Sequence, residues 1–142
     1  MENRQLSTQI CRDYPGRLAI VGNGAACTYE DMLKGIQGLQ KKLQAMGVEK
    51  GSRVALWSYN SANWLIAFFA IVRAGSTAVL MNYSMTGAEA AELLTMTETG
   101  FLLCSDNGET KKNPDAMHTL AALAGIPEEH CLDIRPISLD LG

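Results

Sequence analysis

Three short runs of uninterrupted apolar residues, each separated from the next by a stretch with helical character, constrain this chain more than any other feature. Arg53-Val-Ala-Leu-Trp57, Thr77-Ala-Val-Leu-Met81 and Phe101-Leu-Leu-Cys104 show no alternation of apolar and polar side chains. A strand of that kind presents apolar groups on both faces, so both faces must be covered. Between the first two runs lies a nearly all-apolar segment from Ala62 to Arg73. Between the second and third, Thr86-Gly-Ala-Glu89 forms a capping box ahead of Leu93, Leu94 and Met96. Buried strands separated by helices require an α/β architecture: a mainly parallel sheet with helices on both faces.

The flanks fit that reading. Arg17 to Gly22 and Ala25 to Thr28 enclose Asn23-Gly24, a β-hairpin signal because a type I′ turn needs positive φ at both central residues. Met32, Ile36, Leu39 and Leu43 then fall on one helical face, with Lys34, Gln37, Lys41 and Gln44 opposite them. Gly47 sits where a helix ends in a left-handed residue. Asn60 or Ser61 is placed to cap the apolar helix. Ser105 to Lys112 reads as a polar loop, and Asn113-Pro114 as an N-cap followed by proline at the first position of a fourth helix carrying Met117, Leu120, Leu123 and Ala124. Cys131 to Arg135 reads as a last strand.

Composition narrows the function classes. The 142 residues carry a net charge of −3, with no basic field to attract nucleic acid or anionic lipid. The most apolar stretch, Trp64 to Val72, is about half the ~20 residues that cross a bilayer, so no transmembrane segment is expected. Cys11, Cys27, Cys104 and Cys131 include no C-x-x-C pair, and His118 and His130 are the two histidines; a zinc site is not expected. Unpaired cysteines suit a reducing, cytoplasmic compartment.

The ordered series of motifs resembles the opening of the adenylate-forming (AMP-binding) superfamily, of the acyl-CoA synthetase or fatty-acid–CoA ligase type. It comprises Thr28-Tyr-Glu-Asp31, Met46-Gly-Val48, Lys50-Gly-Ser-Arg-Val-Ala-Leu56, Asn60-Ser61, Phe68 to Gly75, Leu80-Met-Asn82 with Thr86 and Glu89, and Phe101 to Asp106. Asn82, Thr86 and Glu89 are similar to the "L-N-x-x-x-T-x-x-E" of acyl- and aryl-CoA synthetases, rather than the "L-D-P-x-Y-P" of amino-acid-activating domains. Leu80-Met81 and Tyr83 stand where prolines are usual. The resemblance implies the N-terminal subdomain of an adenylate-forming ligase over residues 15–106. Residues 1–14 are then a loose N-terminal segment, and residues 107–142 a fourth helix and last strand of the same domain, truncated before the phosphate loop.

The family makes an acyl-adenylate from a carboxylate and ATP, then passes the acyl group to the thiol of coenzyme A. That chemistry needs a glycine-rich loop whose N–H groups hold phosphate, with cations beside it. The resemblance therefore implies ATP, Mg and coenzyme A for a parent enzyme, but no cofactor, catalytic or metal residue on these 142 residues. Possible substitutes are poor. Gly22-Asn-Gly24 sits in a hairpin without a following helix start. Gly75-Ser-Thr77 is a helix exit, the wrong end for an anion. Thr95 to Gly100 reads as a helix end, and Lys41-Lys42 and Lys111-Lys112 as solvated charge. His118 and His130 read as surface residues, and Trp57 and Trp64, which bracket a strand–helix junction, as core.

The expected function is thus the scaffold of an ATP-dependent acid–thiol ligase acting on a fatty or other hydrophobic acid, with the remainder of its own polypeptide as partner. An exposed apolar patch, or self-association that hides it, is expected of an isolated chain, because Trp64 to Val72 demands more cover than four helices provide. The alternative is a self-contained flavodoxin-like or Rossmann-like module binding a nucleotide or a protein.

Overall fold

The computed structural model describes residues 18–22, 25–59 and 61–135. Residues 1–17 (the loose N-terminal segment among them), Asn23-Gly24, Asn60 and the last seven residues lie outside them. β1 (Leu18–Gly22) and β2 (Ala25–Thr28) pair antiparallel, with Gly22 opposite Ala25. This is the register of a two-residue hairpin. α1 (Tyr29–Met46) follows directly. It ends at Gly47, whose φ of 106° is open to glycine at little cost.

The parallel sheet contains β3 (Arg53–Trp57), β4 (Thr77–Met81), β5 (Phe101–Cys104) and β6 (Cys131–Asp133), in the order β4-β3-β5-β6. α2 (Ala62–Arg73) joins β3 to β4 and α3 (Gly87–Met96) joins β4 to β5. Two helices, α4 (Gly108–Lys112) and α5 (Ala116–Ala124), and a 3-10 turn at Glu128–His130 lead to β6. Counting parallel strands in chain order, the arrangement is 2-1-3-4, the connectivity of flavodoxin-like doubly wound sheets.

Side chains alternate across the sheet as strand geometry requires. Val54, Leu56, Phe101 and Leu103 join Ile36, Leu39, Leu43, Ile66 and Ile71 of α1 and α2 in one core. Ala55, Trp57, Leu102 and Cys104 join Ala90, Leu94, Met117, Leu120 and Ala121 of α3 and α5 in the other. Both faces of the central strands β3 and β5 are covered, which is why those two runs are apolar. β4 departs from the expectation, because it lies at the sheet edge, is only partly covered and leaves Leu80 half exposed.

Caps fall where the sequence placed them in two helices. The Ser61 hydroxyl accepts the Trp64 N–H at 3.1 Å. Thr86 and Glu89 make both halves of a capping box, at 3.2 and 3.1 Å. Hydrogen bonds from the Thr86 backbone and side chain hold the Glu89 carboxyl below its ordinary pKa.

Three expectations need correction. Ser105 to Lys112 is not all loop: its second half is α4, capped by Asn107, whose side chain accepts from the Glu109 and Thr110 N–H groups. Asn113-Pro114 does not open the fourth helix. Asn113 closes α4 and accepts the Asp115 N–H at 3.0 Å in a local turn, and α5 starts at Ala116. The apolar helix α2 shows no large side chain among the exposed ones; Trp64, Leu65, Phe68 and Phe69 are partly buried against the first core. Trp64 and Phe68 stack with centroids 5.6 Å apart. The large apolar side chains that stand exposed among the described residues are Leu80, Tyr83, Met96 and Leu123.

Candidate functional site at the carboxyl edge of the sheet

Open parallel sheets bind ligands outside the carboxyl ends of their strands, where neighbouring connections leave in opposite directions. Here that switch point lies between β3, whose chain turns toward β4, and β5, whose chain turns toward β6.

The crevice is stitched closed. The Tyr59 N–H donates to the Asp106 carbonyl at 2.8 Å, and the Ser105 N–H to the Trp57 carbonyl at 3.1 Å. Asn107 fills the gap, fully buried. Its side-chain N–H₂ donates to the Ser105 carbonyl at 3.2 Å, to the Trp57 carbonyl at 3.4 Å and to Cys104 Sγ at 3.4 Å. A flavin or nucleotide entering a flavodoxin-like switch point would have to displace this plug.

Over the plug sit Tyr59 and Tyr83, with ring centroids 4.7 Å apart. Lys111 Nζ lies 5.1 Å from the Tyr59 ring centroid, within the range of a cation–π contact. Gly108 makes the approach of α4 to β4 possible. Its N–H donates to the Tyr83 carbonyl at 2.9 Å, and a Cβ there would stand 3.1 Å from that oxygen. The sequence reading missed Asn107 and the Tyr59–Lys111 pair. The first had a signal, Asn107-x-x-Thr110, a short capping box inside a segment taken as loop; the second had none.

The other candidates are accounted for by packing. Trp57 is buried in the second core, and its indole N–H has no partner among the described residues. His118 pairs with Glu128 on the surface. His130 is less exposed than expected. Its ring stacks on Phe101 at 4.3 Å, and Nδ1 lies 3.0 Å from the Gly100 carbonyl, so that nitrogen carries the proton and donates. Burial pushes the Cys104 thiol up to about 12, against the opposing Asn107 hydrogen bond, and pushes Cys131 up to about 11. Neither is a poised thiolate.

Neither described segment singled out as a substitute phosphate loop has free amides for one. In Thr95 to Gly100, the Thr97, Glu98, Thr99 and Gly100 N–H groups donate to Leu93, Thr95, Leu94 and Arg53 carbonyls. At the exit of α2, the Gly75 and Ser76 N–H groups donate to Val72 and Ile71. A cradle needs such amides unpaired and convergent. Lys112 is engaged with Glu109 at 4.0 Å. Among the described residues no group of three His, Cys, Asp or Glu side chains is arranged to hold a metal. No helix of the described part is long and apolar enough to cross a membrane.

The architecture is thus a hairpin leading into a doubly wound parallel layer, the N-terminal subdomain of the adenylate-forming ligase fold. The N-terminal domain of FACL13 from Mycobacterium tuberculosis superposes with a TM-score of 0.80 at 20% identity, over 100% of this chain and 38% of that one. The model of the AMP-binding enzyme family matches residues 7–139, and the chain belongs to that family. A 3-[(3aS,4S,7aS)-7a-methyl-1,5-dioxo-octahydro-1H-inden-4-yl]propanoyl:CoA ligase of M. tuberculosis is 33% identical over 86 residues, 61% of this chain and 17% of the relative. The putative acyl-CoA synthetase YngI of Bacillus subtilis is 29% identical over 118 residues, 82% of this chain and 22% of the relative. The chain therefore spans about a fifth of the length of the curated relatives it matches.

Proposed function

We propose that this chain is the supporting α/β layer of an AMP-forming acid–thiol ligase, with the reactive groups carried by the remainder of the same polypeptide. The observation that carries the reading is the family match across residues 7–139, joined to a carboxyl edge whose crevice is filled by Asn107. A layer built this way supplies a rigid wall. ATP, Mg and coenzyme A bind elsewhere on the parent enzyme, since the amides and lysines of this part are already engaged or scattered. The acid activated is a hydrophobic carboxylic acid, in keeping with relatives named as CoA ligases of a bicyclic propanoate and of acyl groups. The unpaired thiols of Cys104 and Cys131 suit a reducing cytoplasm.

ATP–pyrophosphate exchange tests this directly. Purified 1–142 should give no exchange with any of a panel of medium- and long-chain fatty, aryl and polycyclic carboxylic acids. The same residues joined to the sequence that follows them in the gene should give acid-dependent exchange and, with coenzyme A, a thioester. Exchange by 1–142 alone would remove the scaffold reading. A following sequence without a Ser/Thr/Gly-rich loop and lysine would remove the ligase reading.

A further inference from the structure

Charge is distributed unevenly along this acidic chain. Residues 32–88, which hold most of α1 and all of α2, contain six cations (Lys34, Lys41, Lys42, Lys50, Arg53 and Arg73) and one acid, Glu49. The remaining residues carry the other fourteen acids. On the outer seam of α1 and α2 lies a groove of about 340 Å³, lined by Gln37, Gln40, Lys41, Gln44 and Arg73. Among the described residues, no acidic and no apolar side chain lines it.

The two helices are clasped along this seam. Arg73 Nε donates to Gln40 Oε1 at 3.0 Å, and Gln40 Nε2 donates back to the Arg73 carbonyl at 3.3 Å. That reciprocal pair fixes one wall. On the other wall Gln37, Lys41 and Gln44 stand at i, i+4 and i+7, a single stripe on the helix surface. These three side chains are exposed and engage no partner among the described residues, unlike Lys34, which meets Glu30.

We infer that this groove is a docking surface for an acidic peptide segment of a partner protein. Lys41 supplies a charge for carboxylates. The Gln37 and Gln44 amides each offer donors and an acceptor, the complement of a peptide group. From Gln37 to Gln44 the helix rises about 10 Å, at ~1.5 Å per residue, the span of roughly three extended residues. A single small oxyanion cannot reach both ends. A lipid surface would need apolar side chains, and a nucleic acid more cations and stacking rings than the groove has.

The test titrates ¹⁵N-labelled chain with a capped hexaglutamate peptide, following the side-chain amide signals of Gln37 and Gln44. Those signals should move in a saturable way and move less as salt is raised. Lys41→Glu should weaken binding about fivefold, the size of one exposed charge pair made repulsive, near 1 kcal/mol. Lys42→Glu, one residue away and outside the groove, should change it less than about twofold. Equal losses in the two variants would reduce the effect to general charge attraction and overturn the proposal. So would silent Gln37 and Gln44 signals at millimolar peptide, or equal shifts produced by inorganic phosphate.

Discussion

The two faces of the sheet are built on different plans. The most deeply buried side chains of the α1–α2 face are branched aliphatics, Ile36, Leu39, Leu43, Ile66 and Ile71 against Val54, Leu56 and Leu103, beside the less completely buried rings of Phe101, Trp64, Phe68 and Phe69. The α3–α5 face uses helices of 10 and 9 residues with Ala90, Ala116 and Ala121 on their buried sides. Small residues let those helices sit close, and the volume left over is taken by Trp57, 0% exposed. The first face spreads its stabilisation over many equivalent side chains; the second gathers much of it in one. A redundant core tolerates single truncations because neighbours share the loss, whereas a core with one large centrepiece has nothing of comparable size to move into the gap.

Trp57→Ala is the hardest test of that contrast. It should cost about 3–5 kcal/mol, against about 2–5 kcal/mol for Ile71→Ala on the other face, with Trp57→Ala the larger of the two, both read from urea midpoints of the chain. A smaller loss at Trp57 than at Ile71 would break the comparison. Trp57→Phe sharpens it. The indole N–H is buried with no partner among the described residues, a state that costs about 1–3 kcal/mol. Removing it should offset most of the lost ring area and leave Trp57→Phe within about 1 kcal/mol of the parent.

The next effect comes from the edge that joins the two faces. Asn107→Ala removes the acceptor for two α4 N–H groups and the donor that closes the β3–β5 crevice. It should cost about 2–3 kcal/mol, above the ~1 kcal/mol of an ordinary cap, because buried groups are left unpaired. Hydrogen exchange should show the excess as faster opening of α4. If Asn107→Ala matches Thr86→Ala, at about 1 kcal/mol, the plug is merely a cap and the crevice is open to ligands.

What could be read from the residues and what could not divides along the same lines. The parallel layer was legible because Val54 to Trp57 and Phe101 to Cys104 are apolar on both faces, a pattern that only two-sided cover explains. The capping box at Thr86 and Glu89 was legible because its groups are three residues apart and act locally. The start of α5 was misread because Asn113 has two local uses, helix cap or turn, and which one wins depends on where α4 ends. The strand order and the closure of the switch point were not legible. They depend on Asn107 meeting Trp57, fifty residues away, and no local pattern records such a meeting. The Gln40–Arg73 clasp across α1 and α2 was hidden for the same reason.

The smallest expected effect lies at the far edge, where β6 ends in a ring of local contacts. Arg135 holds Asp133 through its backbone N–H at 2.9 Å and a bidentate guanidinium at 2.6 to 3.0 Å. Burial opposes ionisation of Asp133, but the Arg135 hydrogen bonds and charge outweigh it and keep the carboxyl below its ordinary pKa. A group lowered on folding stabilises the folded chain above its unfolded pKa, near 3.9, and loses that contribution as pH falls through the folded value. The pair is about a third exposed, so solvent screening limits it to under about 1 kcal/mol. Asp133→Asn should therefore flatten the fall in stability below about pH 4 and leave the midpoint at pH 7 lower by a few tenths of a kcal/mol to about 1. A loss at pH 7 as large as that of Asn107→Ala would mean that this edge, rather than the plug between β3 and β5, fixes the carboxyl side of the sheet.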